Sequence, residues 1–191
     1  MKILAFNGSP RKQGNTSTLV KKILEGAQSA GAETAEVRLH EIDFKGCVGC
    51  LGCRQNPGRC MHKDGLSPFL EAMKTCNGIV IGSPIYMYHI TAQMKAFVDR
   101  NYSLYISRED GGYDTAIPPG KTYALVTSQG DPDADSFKKP IRWLAGMTGS
   151  GHGFQEVGRI IHTDSSQNPA RSDLDLLGKA FEIGKKLIRK K

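Results

Sequence analysis

Short apolar runs alternate with longer stretches in which apolar residues return every three or four positions, and this alternation constrains the fold more than any other feature. Residues 2–6 form the first run, which stops at the turn signal Asn7-Gly8-Ser9-Pro10. Leu19, Ile23, Leu24 and Ala27 then recur at helical spacing, and Gly31 closes that segment. The exchange continues, with strands predicted at 34–39, 78–82, 121–127 and 154–161. Helices are predicted at 68–76, around Ile90, Met94, Phe97 and Val98, in part over 134–147, and along Leu174, Leu177, Phe181 and Ile188. Ser67 is expected to cap the helix at 68–76 with Pro68 in its first position. Pro140 is expected to break or restart the helix around it. Five strand–helix units in series imply right-handed crossovers, so the expected fold is α/β, a doubly wound five-stranded parallel sheet with helices on both faces. The 191 residues read as a single domain. Two connections, 40–66 and 101–120, exceed the usual length in such folds, and long loops in compact domains are usually functional or disordered.

Lys and Arg number 26 against 19 Asp and Glu, a formal charge of +7, which admits anionic ligands or partners. Lys179, Lys185, Lys186, Arg189, Lys190 and Lys191 crowd the end of the chain and read as a solvated helix end. A nucleic-acid role calls for a basic stripe interleaved with aromatics or a helix-turn-helix, and neither is present. No apolar run approaches the roughly 20 residues of a membrane span, and the apolar start is too short for a signal-peptide core. The expected setting is cytoplasmic, where structural disulfides are rare.

Ser9, Arg11, Gly14, Asn15, Thr16 and Ser17 lie between the first strand and the first helix. In open α/β sheets ligands bind at the carboxyl ends of strands, near the switch in strand order. A helix N-terminus there offers open N–H groups and a positive dipole end to an anion. Neither the Walker spacing nor G-x-G-x-x-G occurs. A hydroxyl-rich loop without those motifs suits a monophosphate held by neutral donors. The competing reading, that Asn15 or Thr16 merely caps the helix, accounts for one residue of the set.

Asn7-Gly8-Ser9-Pro10-Arg11 with Gly14-Asn15-Thr16-Ser17 resembles the opening of the NADPH-dependent FMN reductase family. Gly82-Ser83-Pro84-Ile85-Tyr86, followed by Met94-Lys95-Ala96-Phe97-Val98-Asp99-Arg100, resembles that family's second signature. The resemblance covers the chain to about residue 130. It implies the flavodoxin-like fold with sheet order 2-1-3-4-5, FMN as cofactor and NAD(P)H as a candidate electron donor. It places the FMN phosphate on Ser9, Arg11, Asn15, Thr16 and Ser17. It makes Pro84, Ile85, Tyr86 and Met87 the isoalloxazine contacts, and sets a third loop containing Thr127, Ser128 and Gly130 along the ring or ribityl chain. Tyr86, Met87 and Tyr88 offer flat or polarizable surfaces to a planar ring. Asp99 and Arg100 read as a local ion pair or packing feature at a helix end. His40, His62, His89, His152 and His162 are scattered and read as surface or loop residues.

Cys47, Cys50, Cys53 and Cys60 follow the pattern C-x2-C-x2-C-x6-C. Gly49 and Gly52 let a short chain wrap a compact group, and four thiolates are the ligand set of a [4Fe–4S] cubane. Structural zinc more often uses two separated C-x2-C pairs, and bare redox-active thiols are the third reading. No acidic residue occurs from 44 to 63, while Lys45, Arg54, Arg59 and Lys63 do, a balance that suits an anionic cluster. The motif is similar to that of the iron-sulfur flavoproteins, a branch of the same family in which the cluster passes electrons to FMN, commonly across a subunit interface. The resemblance implies a [4Fe–4S] cluster on these four cysteines, a homodimer or homotetramer, and a ferredoxin-type electron donor. The expected function is an FMN-dependent oxidoreductase moving electrons between a [4Fe–4S] cluster or reduced nicotinamide and FMN. A cluster-free NAD(P)H-dependent flavin or quinone reductase and a zinc-stabilised binding module stay open as alternatives. Cys76 is expected to be a small buried apolar residue.

Overall fold

The computed structural model describes residues 1–188; Arg189, Lys190 and Lys191 of the basic cluster lie outside the described residues. The chain runs β1 (Lys2–Asn7), α1 (Asn15–Ser29), β2 (Glu33–Arg38), α2 (Gly52–Gln55), α3 (Ser67–Thr75), β3 (Gly78–Tyr86), β4 (His89–Ile90) and α4 (Ala92–Arg100). A 3-10 turn (Asn101–Leu104) leads to β5 (Tyr105–Ser107), β6 (Tyr113–Thr115), β7 (Thr122–Ser128), α5 (Lys138–Thr148), β8 (Gln155–His162) and α6 (Leu174–Lys186).

Five strands pair in parallel in the spatial order β2-β1-β3-β7-β8. Counted among the parallel strands alone this is 2-1-3-4-5, the expected flavodoxin-like sheet. Two additions escaped the sequence reading. β4 pairs antiparallel with the end of β3, and β5 and β6 form a separate hairpin.

Side chains alternate across each central strand, as the pleat dictates. Leu4 and Phe6 of β1, Ile79 and Ile81 of β3, and Tyr123 and Leu125 of β7 join the core under α3, α4 and α5. Ile3 and Ala5, Val80, and Ala124 and Val126 point the other way, into the core under α1 and α6. Strands buried on both faces read as continuous apolar runs, which is why those runs located them. Phe6 stacks on Phe97 of α4 with ring centroids 4.3 Å apart, so α4 is seated directly on β1. α1 and α6 approach so closely that a Cβ on Gly26 would stand 2.0 Å from the Phe181 carbonyl oxygen, and one on Gly184 2.0 Å from that of Ile23.

Local expectations shift in three places. β3 runs on through Pro84 to Tyr86 instead of ending at Gly82. Pro140 is the third residue of α5, within a first turn where its missing N–H costs nothing. Ser67 does not cap α3, whose N-cap is Leu66 with Pro68 second in the helix. Its hydroxyl instead donates to the His62 carbonyl (2.7 Å) and accepts from the Asp64 N–H (2.9 Å), shaping the end of the cysteine loop.

Candidate functional site

β1, β3 and β7 are neighbours in the sheet, so the loops leaving their carboxyl ends meet on one edge. Gly8 N–H donates to the Gly82 carbonyl (2.8 Å), and Thr91, the N-cap of α4, donates its hydroxyl to the Gly8 carbonyl (2.9 Å). Gly82 leaves room for the first turn of α1, because a Cβ there would meet Val20 Cγ2 at 2.5 Å and Thr16 Cγ2 at 3.2 Å. Asn7 organises the turn. Its Nδ2 donates to Ser17 Oγ (3.0 Å) and Glu36 Oε1 (2.7 Å), and its Oδ1 accepts the Ser9 N–H (2.9 Å). The sequence marked Asn7 only as a turn signal; its role needs Glu36, which lies on β2.

The N-cap of α1 is Gly14, in extended conformation and with no side-chain cap. Capping by Asn15 or Thr16 is therefore set aside, and the first N–H groups of α1 are left open by helix geometry. Thr16 is buried and its Oγ1 has no partner among the described residues. An orphaned buried hydroxyl beside open N–H groups costs free energy unless an acceptor meets it, and a phosphate oxygen fits that need. Ser9 is buried, with Oγ accepting the Arg11 N–H at 3.3 Å. The other expected residues differ in role. Ser17 Oγ donates to the Arg11 carbonyl (2.7 Å), so it shapes the loop. Both ends of the Asn15 amide are engaged elsewhere: Nδ2 donates to the Ser165 carbonyl and Oδ1 accepts the Ala170 N–H, each at 2.9 Å. Arg11 is exposed.

Pro84 lies within β3, in register with Ser128 of β7. Ile85 and Tyr86 pair with Ile90 and His89 across a two-residue turn, Met87 and Tyr88. Both turn residues have positive φ, 44° and 66°, the pattern of a type I′ hairpin that usually takes Gly or Asn. Each non-glycine residue held there costs on the order of 1–2 kcal/mol. The turn holds Met87 90% and Tyr88 78% exposed. Tyr88 meets Phe137 edge-on (5.7 Å), His89 meets Trp143 of α5 edge-on (5.7 Å), and Lys95 Nζ lies 5.7 Å from the Trp143 ring centre. In the third loop the Ser128 hydroxyl bonds His162 Nδ1 (3.0 Å), while His162 Nε2 donates to the Asn168 carbonyl (2.8 Å). Thr127 Oγ1 is buried without a partner among the described residues, and Gly130 is exposed.

The four clustered cysteines line one cavity together with Leu51, Met61, Arg100, Tyr102 and others. Leu51 adopts a left-handed φ of 57°, which turns the chain between Cys50 and Cys53. Burial, followed by the thiols of Cys60, Cys47 and Cys50, pushes the Cys53 thiol up, so the four sulfurs share one electrostatic neighbourhood. Among the described residues no three His, Cys, Asp or Glu side chains close on a single ion. A [4Fe–4S] cubane would take one thiolate on each of its four irons, and the four cysteines on this one cavity are a ligand set of that number.

Arg100, 1% exposed, closes this cavity from the end of α4. Asp99 makes a local ion pair with Lys95, four residues before it (2.6 Å), whereas Arg100 is buried and pairs with the distant Asp64 (2.6 Å). Burial works against ionisation of Asp64, yet hydrogen bonds from Arg100 and from the N–H groups of Lys45 and Leu66 hold its carboxyl at about 2. Cys76 is buried in the core under α3, as expected.

The family model for NADPH-dependent FMN reductases matches residues 1–132. An iron-sulfur flavoprotein of Methanocaldococcus jannaschii is 32% identical over 143 residues, covering 67% of this chain and 74% of that protein. One from Methanosarcina thermophila is 28% identical over 188 residues, covering 98% and 93%. Matches to two iron-sulfur flavoproteins of Archaeoglobus fulgidus span about half of their length, 49% and 45%. Among solved structures, an FMN-dependent NADH-azoreductase of Bacillus anthracis in complex with FMN aligns with a TM-score of 0.75 at 15% identity, covering 98% of this chain and 99% of that one.

Proposed function

The chain belongs to the NADPH-dependent FMN reductase family and is an FMN-dependent oxidoreductase; on that footing we propose that it works as an iron-sulfur flavoprotein, moving electrons between a [4Fe–4S] cluster and FMN. When bound, FMN supplies two-electron or hydride chemistry and the cluster supplies single-electron transfer. The N–H groups at the start of α1, with Ser9 and Thr16, hold the phosphate, while Ser17 and Asn15 keep the loop in shape and Arg11 adds positive charge at its rim. Pro84, Ile85, Tyr86 and Met87 border the ring, and Thr127, Ser128 and Gly130 flank the ring or ribityl chain. Cys47, Cys50, Cys53 and Cys60 supply the thiolates.

The observation that supports the cluster is the cavity those four thiols share. Lys45, Arg59 and Lys63 are exposed around it, a cationic rim suited to a ferredoxin-type donor of opposite charge; NAD(P)H is the alternative donor. A homodimer or homotetramer would cover the cysteine loop.

The experiment is FMN, iron and sulfide content of protein prepared without oxygen, for the wild type and five Cys→Ala variants. The expected wild type carries FMN and about four irons per chain. Changes at Cys47, Cys50, Cys53 or Cys60 lower iron and spare FMN, and Cys76→Ala alters neither. FMN without iron in the wild type would establish the cluster-free reductase, zinc in place of iron would move the cysteines to a structural role, and protein that fails to bind FMN would overturn the site.

A further inference from the structure

We propose that Arg100 fixes and tunes the Cys60 corner of the cysteine site, acting as a positioning residue for the cluster; the inference rests on the cluster reading above. Its guanidinium reaches both flanks of the cysteine segment. Nη1 donates to the Lys45 carbonyl (2.8 Å) and to Asp64 Oδ2 (2.6 Å). Nη2 donates to Asp64 Oδ1 (3.3 Å) and the His62 carbonyl (3.4 Å). Nε donates to Cys60 Sγ (3.2 Å). Lys45 precedes the first cysteine, and His62 and Asp64 follow the last, so one side chain pins the mouth of the loop. Two further bonds reinforce it, one backbone to backbone, Gly65 N–H to the Asp43 carbonyl (2.9 Å), and one to a side chain, Lys45 N–H to Asp64 Oδ2 (3.3 Å).

Packing alone does not call for an arginine here. Burying a guanidinium is costly even with a carboxylate partner, and an apolar side chain of similar volume is often as stable. Arginine adds a planar fork and a permanent charge that lysine and glutamine do not combine. Four of its five bonds go to oxygens of residues 45, 62 and 64, and the fifth goes to sulfur. A charged N–H donor on a thiolate draws electron density from it, and hydrogen bonds to sulfur are among the features that set iron–sulfur potentials. Arg100 thus holds Cys60 in place through the fork and favours the reduced cluster through its charge.

The test compares wild type, Arg100→Gln and Arg100→Lys after anaerobic reconstitution. The readouts are iron per FMN, the rate of iron release to a chelator, and the cluster midpoint potential by optical titration. The expected Arg100→Gln protein binds FMN normally, releases iron at least tenfold faster and has a lower potential. Arg100→Lys recovers the potential in part, through its charge, but not the release rate, which needs the fork. Wild-type potential and release in Arg100→Gln would overturn the proposal. If Arg100→Gln holds no iron, Arg100→Lys decides, and absence of iron from both with FMN retained reduces Arg100 to a splint and overturns the tuning. A wild type that takes up no iron is a failure of the cluster reading, seen before any substitution is compared. Limited proteolysis within 45–64 then judges the positioning role, and equal cleavage of wild type and Arg100→Gln would overturn it too.

Discussion

His152 shows how one buried group sets a pH limit on the protein. It is 1% exposed, stacked on Tyr105 at 4.2 Å, with Nδ1 bonded to Thr115 Oγ1 (3.1 Å) and Nε2 without a partner among the described residues. Burial pulls its pKa from the ordinary 6.5 down to about 4. The folded state therefore favours the neutral ring, so its contribution is complete above pH 6.5 and is lost as pH falls towards 4. That gap corresponds to about 3 kcal/mol. In urea unfolding between pH 7.5 and 4.5, wild type should lose more stability than His152→Gln, on the order of 2–3 kcal/mol by the acid end; parallel pH slopes would refute the assignment. Read from sequence alone, His152 was one of five scattered histidines, because the residues that bury it lie on β5 and β6, too short to announce themselves. Arg100 was hidden for a related reason. Its carboxylate partner, Asp64, lies 36 residues away, so no local pattern could announce it.

Among the elements, the glycine contact between α1 and α6 sets how closely the two helices approach, and α1 follows the loop proposed to hold the phosphate. Gly184→Ala would drive a methyl into the Ile23 carbonyl. The gain in helix propensity is about 1 kcal/mol, but overpacking at such a contact typically costs 1–3 kcal/mol or more. The variant is expected to be destabilised by about 1–2 kcal/mol net. Gly178, on the same helix with nothing within 4 Å of its would-be Cβ, supplies the control, and Gly178→Ala should be neutral or stabilising. Equal unfolding midpoints for the two variants would show that the helices slide apart at no cost. The elements themselves were legible where burial is two-sided, as in β1, β3 and β7. They were not where pairing is brief: β4 has two residues, and its turn, Met87 and Tyr88, lacks the Gly or Asn that flags a hairpin. In the candidate site the loop positions could be read from the sequence, but the division of labour among Ser9, Asn15, Thr16 and Ser17 depends on Asn7 and on residues 165–170.

For the whole molecule, the exposed apolar side chains of Val48, Leu51 and Met61 on the cysteine loop, and of Met87 and Tyr88 on the hairpin, call for a cover. Light scattering of FMN-loaded protein should return at least twice the 20.8 kDa of one chain; the single-chain mass at micromolar concentration would count against a dimer. Among the described residues no helix is long and apolar enough to cross a membrane. The bond from the Ala170 N–H to Asn15 Oδ1 joins residues 155 positions apart, and α6 covers α1 from the same distant part of the chain. Contacts of such separation form late in folding, after the local turns and neighbouring strands. The expected order is therefore that β1 and α1 assemble early as a unit, while the outer face of α1 and the shape of its first turn wait for residues 165–186. A flavin held at that turn, as proposed, is expected to be captured by a chain that has all but finished folding, so quenching of its fluorescence on refolding should clock the closing step and not the initial collapse; quenching within the initial collapse would refute that order.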